Sequence, residues 1–386
     1  MTVFDRLGVQ AVINAAGPVT RLGGGAMHPQ VAAAMVEASL LCCDMLALQA
    51  AACRVIGRVT GAEAGIVTTG ASASVLLGAA ACLAGLDPGR MNRLPKVPDG
   101  RCEVVVVRSQ RNMYDRALAV AGARVVEVGI ADRFSGPGVR DAEAWEIEDA
   151  IGEQTAAVYY LMQPQSRPAL DAVAAVAHRR GVPVLVDAAA QLPPAANLRA
   201  LLEQGADLVA FSGGKAIGGP QASGILCGRA DLVSSALIQM LDLDMPEASW
   251  RAPPEFAPLA GLRGLPHHVI GRSCKAGKEE IVGLLTALER FAAEDDVARR
   301  ARWLTLLRAI AEAAGEMDGL RLHDEDPVPS LRLTGASALR VAAALRCGSP
   351  PIECGMSEGG LRISPVALLP EQAESIGRRL REAVAP

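Results

Sequence analysis

The sequence predicts an α/β fold, with a large doubly wound sheet domain followed by a small α+β C-terminal domain. Three observations carry this. Short runs of Val, Ala and Leu recur between helix-like segments from about residue 60 to 230, the alternation of a mostly parallel sheet with crossover helices. Two of the runs, Val182–Val186 and Asp207–Phe211, are apolar rather than alternating, as buried strands of a parallel sheet are. Past residue 271 the pattern changes to a long helix and short strands. The expected organisation is an N-terminal arm over 1–45, a large domain over 46–270 and a small domain over 271–386.

The totals bound the function. At 386 residues the chain supports a sizeable core, and with 51% hydrophobic but only 3% aromatic residues that core is built mainly from Ala, Val and Leu. The net charge is −4, with acids and bases interspersed and no basic stripe, which speaks against a nucleic-acid partner. The first residues do not read as a signal peptide, and no apolar run is long enough to span a bilayer, so no membrane partner is expected. Nine cysteines are scattered, Cys42-Cys43 is the only tight pair and no Cys-x-x-Cys occurs. That pattern fits a reduced, cytoplasmic setting and gives no metal site.

The arm begins with a short apolar run at Ile13, then glycines to Gly25, then a helix from His28 to Leu40. A flexible arm of this kind folds over a site, which makes Thr20 and Arg21 candidates to touch substrate. After a long helix, a strand at Gly65–Thr69 runs into Gly70-Ala71-Ser72-Ala73-Ser74 and an apolar helix. Free N–H groups and the helix dipole make such a start an anion site. A serine N-cap without a ligand is the plainer alternative. A loop over 86–101 precedes a strand at Glu103–Val107, which is followed by Arg108-Ser-Gln110-Arg111-Asn112. Strands at Arg124–Val128 and Ala156–Leu161 follow, the latter ending in Met162-Gln163, with a loop over 129–142 between them. Next come strands at Val182–Val186 and Asp207–Phe211. Beyond an irregular Pro-rich region lie Arg272, Lys275 and Lys278, then one long amphipathic helix over 281–314. The small domain continues with a strand at Ser330–Leu333, a helix to Leu345, strands near 350–354 and 360–364, and a helix from Pro370.

Ligands of open α/β sheets bind outside the carboxyl ends of the strands. Asp187 and Lys215 both fall there, so they face one crevice. A carboxylate and a lysine at adjacent strand ends fit pyridoxal 5'-phosphate (PLP), whose aldehyde takes a lysine amine and whose pyridine nitrogen takes an acid. Only four lysines exist, and only Lys215 follows an apolar strand among glycines. The competing reading is a surface lysine in a glycine turn. A nucleotide P-loop is excluded, because Ala216 stands where Ser or Thr is needed. The start at Gly70, Ala71 and Ser72 supplies a phosphate cup, which Ser212 closes from the other side. Gln110, Arg111 and Asn112 are candidates to stack on the pyridine ring, and Gln163 to touch the ring or its hydroxyl. Arg362 is suited to a bidentate pair with a substrate carboxylate, and Arg272 or Lys275 to a distal anion.

The run Ser212-Gly-Gly-Lys215-Ala-Ile-Gly-Gly-Pro-Gln-Ala-Ser-Gly224 resembles the PLP-lysine motif of the selenocysteine synthase (L-seryl-tRNA selenium transferase) family, which includes D-glucosaminate-6-phosphate ammonia-lyase. Supporting matches are Ile13-Asn-Ala-Ala-Gly, Thr20-Arg-Leu-Gly, Thr69-Gly-Ala-Ser-Ala, Val186-Asp-Ala-Ala, Leu192-Pro-Pro and Gly271-Arg-Ser-Cys-Lys-Ala-Gly-Lys-Glu-Glu-Ile. The resemblance implies PLP fold type I (aspartate aminotransferase-like), Lys215 as the Schiff-base lysine, Asp187 under the pyridine nitrogen, and a homodimer or larger homo-oligomer. Two departures favour the ammonia-lyase branch. Gly214 stands where the selenium transferase motif has Asp, and that enzyme carries an extra N-terminal domain for tRNA, whereas here the family-like segment begins by about Leu7. Relatives of the lyase branch carry a histidine near Gln110, so the ring-stacking residue stays open.

The expected reaction is α,β-elimination from an amino acid or amino-sugar acid, giving a 2-keto acid and ammonia. Aldol cleavage, racemisation and β-replacement, including selenium transfer, run on the same fold, as does non-catalytic PLP binding.

Overall fold

The computed structural model describes residues 2–97, 100–130, 141–335, 337–357 and 360–384. Most of the loop expected over 129–142 lies outside them. Twelve strands form two sheets among the described residues. They are β1 (Ile13–Ala15), β2 (Ala64–Thr68), β3 (Glu103–Val107), β4 (Arg124–Val128), β5 (Thr155–Leu161), β6 (Val184–Asp187), β7 (Leu208–Ser212), β8 (Gly224–Gly228), β9 (Leu320–His323), β10 (Ser330–Thr334), β11 (Ile352–Ser357) and β12 (Gly360–Ile363).

The large sheet has the order β2-β8-β7-β6-β5-β3-β4. β8 runs antiparallel to both neighbours, and the other pairs are parallel. Its central strands are buried on both faces. Val104 and Val106 pack into one core and Val105 and Val107 into the other, and β6 divides Leu185 from Val184 and Val186 in the same way. Fully burying a side chain of this size stabilises the fold by about 1.5–3 kcal/mol, so a strand with no polar face can form only inside such a sandwich. The helix Ala71–Ala84 lies against the sheet, close enough that a Cβ at Gly78 would meet Leu185 Cδ1 at 2.8 Å.

The small sheet has the order β1-β11-β12-β10-β9. Residues 13–15, expected in a free arm, pair in parallel with Ile352–Cys354. The single helix expected over 281–314 is two, Lys278–Ala293 and Asp296–Ala314. Asp295 accepts from the amides of Val297 and Ala298 and so starts the second helix. The break separates two cores. Ile281, Leu284 and Leu288 pack with the large sheet, whereas Leu307, Ile310 and Ala314 pack with the small one. Arg299, 2% exposed, fills the corner and stacks over Phe291 at 3.9 Å. No helix among the described residues is long and apolar enough to cross a membrane, and none of their side chains form a cluster of three or more metal ligands.

Candidate active site

Register places the site. Leu161, Asp187 and Ala210 lie side by side on β5, β6 and β7. β5 and β6 end there and β7 runs two residues further, to Ser212, so the chain that leaves each one opens onto the same edge. A cleft of about 400 Å³ lies there, lined by residues that include Thr20, Gly70, Ser72, Gln163, Asp187 and Lys215. A larger hollow of about 470 Å³ sits on the small sheet, but its charged groups, Glu316, Asp318 and Arg321, are exposed and it holds no lysine. The chemistry belongs to the smaller cleft.

Asp187 is 5% exposed at the end of β6. Its Oδ1 accepts from the amide of Ala189 (3.0 Å) and its Oδ2 from the hydroxyl of Tyr159 (3.1 Å). Burial pushes this carboxyl above the usual range, and the two hydrogen bonds and the charge of Lys215 pull it back. Tyr159 is fully buried on β5, and burial together with Asp187 keeps its hydroxyl protonated. Asn112, from the loop after β3, opposes part of this upward push on the Tyr159 hydroxyl. The sequence reading missed Tyr159, because a tyrosine inside an apolar run looks like core. The available signal was its place two residues before the end of the strand next to Asp187.

Lys215 is half-buried, and burial lowers its amine below the ordinary lysine range, against the pull of Asp187. It makes no hydrogen bond or ion pair among the described residues. Its loop is closed by backbone bonds from Gly213 to Ser223 (2.9 Å), Gly218 to Lys215 (3.0 Å) and Gly219 to Gly213 (2.9 Å). A Cβ at Gly214 would lie 2.5 Å from Gln221 Cα, so the position before the lysine has no room for a side chain.

The helix Ala71–Ala84 starts at Gly70 with no side-chain cap. Gly224 of β8 backs this start, where a Cβ would sit 2.4 Å from the Gly70 carbonyl carbon and 2.7 Å from the Ala71 nitrogen. The first-turn amides are thus held against the sheet and open to the cleft, beside Ser72 and Ser212. Ser74 is turned away and bonds Thr68 (2.8 Å).

The donor set fits PLP. An uncapped helix start suits the phosphate, an unpaired amine suits the aldehyde, and a buried carboxylate with spare lone pairs suits a protonated pyridine nitrogen.

Not every expected residue reaches the cleft. Gly70, Ala71, Ser72, Gln163, Asp187, Ser212, Lys215 and Thr20 line it. Gln110 is 3% exposed, accepts from the amide of Leu161 (3.1 Å) and donates to the carbonyl of Arg167 (3.1 Å), so it braces the strand ends and does not line the cleft. Arg111 is bound to Asp115 and Glu127. Asn112 and Tyr114 line the cleft from that loop instead. Arg21 pairs with Glu353 (2.9 Å) and Arg272 with Asp242 (2.6 Å). Lys275 is exposed and Arg362 is half-buried on β12, both outside the lining. Burial and nearby Arg332 lower the Arg362 guanidinium from its usual value.

The family described as L-seryl-tRNA selenium transferase (SelA) matches residues 12–243. A 5'-C-glycyluridine monooxygenase-decarboxylase of Streptomyces sp is 31% identical, covering 98% of this chain and 91% of that protein. A D-glucosaminate-6-phosphate ammonia lyase of Salmonella typhimurium is 28% identical, covering 98% and 97%. A solved structure of D-glucosaminate-6-phosphate ammonia-lyase matches at a TM-score of 0.80, with 28% identity over 99% of this chain and 98% of that one. A structure of SPT with PLP shares the fold at a TM-score of 0.55, with 16% identity over 96% and 87%. The fold is PLP fold type I and the cofactor is PLP.

Proposed function

This chain belongs to the L-seryl-tRNA selenium transferase family of PLP-dependent enzymes, and from that premise we propose that it is a lyase removing the α-proton and β-hydroxyl of an amino acid or amino-sugar acid. The observation that carries the proposal is one cleft holding the half-buried amine of Lys215 and the buried carboxylate of Asp187, in a chain similar over nearly its whole length to an ammonia-lyase.

Bound PLP supplies an electron sink for the charge left at the substrate α-carbon. The amides at Gly70–Ser72, with Ser212, hold its phosphate. Asp187 keeps a proton at the pyridine nitrogen, and Tyr159 and Ala189 fix the carboxylate in place. Lys215 Nζ takes the α-proton, and burial, by lowering its pKa, leaves a larger fraction of the amine neutral and able to do so. The β-hydroxyl leaves as water, and hydrolysis of the unsaturated product gives a 2-keto acid and ammonia.

A second reading is oxidative decarboxylation, favoured by the 31% identity to a monooxygenase-decarboxylase. One experiment separates the two. The purified protein and Lys215→Ala are compared by visible absorbance after addition of PLP, then given a panel of β-hydroxy amino acids and amino-sugar acids. Keto acid and ammonia formed without oxygen support the lyase. Oxygen uptake with carbon dioxide release supports the second reading. A wild type that stays colourless after added PLP defeats both.

A further inference from the structure

The lining of the cleft identifies the kind of substrate it accepts beyond the reacting carbons. Among the described residues that line it, Lys215 and Asp187 are the only charged ones. Both are committed to the cofactor end, as are the first-turn amides, Ser72 and Ser212. The remaining polar side chains are neutral and comprise Thr20, Thr69, Asn112, Tyr114, Gln163, Gln191 and Gln221.

These groups differ in availability. Asn112 Oδ1 accepts from the amide of Tyr114 (2.6 Å). Gln163 Oε1 accepts from Gln165 (2.5 Å), which leaves its NH2 group. The side chains of Gln191 and Gln221 make no hydrogen bond among the described residues, although both line the cleft. Tyr114 is 58% exposed at the same cleft, an aromatic face with a hydroxyl at its edge.

A carboxamide offers two donors and an acceptor oxygen, which matches a hydroxyl or another amide. It matches a phosphate poorly, because a phosphate takes donors only and is held best by guanidinium or ammonium groups. The cations that would serve a phosphate are used elsewhere. Arg21 and Arg272 are held by Glu353 and Asp242, and Lys275 and Arg362 do not line the cleft. An exposed tyrosine beside free amides is suited to a hydroxyl-bearing chain or ring, whose C–H face packs on the aromatic ring while its hydroxyls meet the amides.

We propose that the substrate of this site carries a neutral, hydroxyl-bearing distal portion, a polyol chain or sugar ring without phosphate, bound by Gln191, Gln221 and Tyr114. This rests on the reading of the cleft as a PLP site for amino acids and adds the class of side chain.

The test is binding to the PLP-loaded enzyme, read as the change in its visible band during titration with D-glucosaminate and, separately, with D-glucosaminate-6-phosphate. The expected result is tighter binding of the unphosphorylated acid, by about tenfold, since a phosphate placed against neutral amides gives up part of its hydration without meeting a cation. Gln191→Ala and Gln221→Ala each weaken the unphosphorylated ligand by about 3–10-fold, the size of a neutral hydrogen bond. Equal or tighter binding of the phosphorylated acid overturns the proposal, and so does unchanged affinity in both glutamine variants. Products are assayed in parallel. Keto acid released from the phosphorylated acid, bound more tightly, sinks this inference and leaves the lyase reading standing. A neutral preference with carbon dioxide as product does the reverse.

Discussion

At the floor of the cleft each carboxylate oxygen of Asp187 meets one donor fixed by the sheet or by the turn after it, and Lys215 stands on a loop closed by three backbone bonds. At the periphery, Arg21 and Arg272 are tied to acids outside the cleft, and Lys275 and Arg362 do not line it. The two regions obey different constraints. Chemistry at the floor needs a given proton on a given atom, so its groups are buried, preorganised and costly to change. The periphery has only to match whatever substrate arrives, and solvent covers most of it. A framework divided in this way can serve more than one chemistry.

The largest effects belong to the floor. On the proposed roles, Lys215→Ala removes both the cofactor attachment and the base, and turnover falls by roughly 10²–10⁴-fold or more from the loss of the base alone. Retained turnover with a yellow protein would move the chemistry to another group. Asp187→Asn is next, with a loss of about 10²–10³-fold, the size expected when one preorganised electrostatic partner is removed. The same change has an opposite effect on the cofactor-free protein. Burial raises the folded-state pKa of Asp187, so the folded protein binds this proton more tightly than the unfolded chain does. The neutral acid is favourable at low pH, and that stability is lost as pH rises through the folded pKa. Asparagine has no charge to bury. At neutral pH the cofactor-free variant therefore melts above the wild type, and the gap closes in acid. A lower melting temperature for the variant at neutral pH would contradict the shift.

The same contrast governs what the sequence made legible. β3 and β4 were read to the residue: β3 is an apolar run buried along most of its length, and β4, the half-exposed edge strand, is marked by three valines between a glycine-containing turn and a glycine. β6 begins at Val184 rather than Val182, since Pro183 has no N–H for the ladder. Asp187 and Lys215 were expected in one crevice because strand ends converge in any such sheet, and both line the cleft. Gln110 was misplaced, because its amide bonds Leu161 and Arg167, 51 and 57 residues away. The break at Glu294–Asp295 was missed because the helix periodicity continues past the capping aspartate. β9 was missed because it is short and only partly buried. The peripheral arginines fared worst. A local reading marks a cation near a helix start or a strand, but an acid 332 residues from Arg21 decides where that side chain goes.

Tyr159 extends the floor by one shell and should show a moderate effect. Tyr159→Phe keeps the packing and removes the donor to Asp187 Oδ2. A hydrogen bond to a charged group is worth about 1.5–3 kcal/mol, so PLP affinity drops by roughly tenfold or more. Losing a donor raises the carboxyl pKa further, so the acid limb of the pH–rate profile moves to higher pH. A profile that superposes on the wild type would reduce Tyr159 to packing.

The smallest effects belong to the periphery. Arg21 is 57% exposed at its side chain, and Arg272 pairs with an Asp242 that is itself 57% exposed. Such ion pairs are screened by water and contribute about 0–1 kcal/mol. Arg21→Ala and Arg272→Ala should each leave kcat unchanged and alter KM by less than about fivefold, with little change in melting temperature. The measurement cuts in one direction. A KM that rises a hundredfold in either variant, with kcat preserved, would mean that the guanidinium leaves its acid to hold substrate. The periphery would then be a second preorganised region assembled on binding, and a distal anion would return as the feature it recognises.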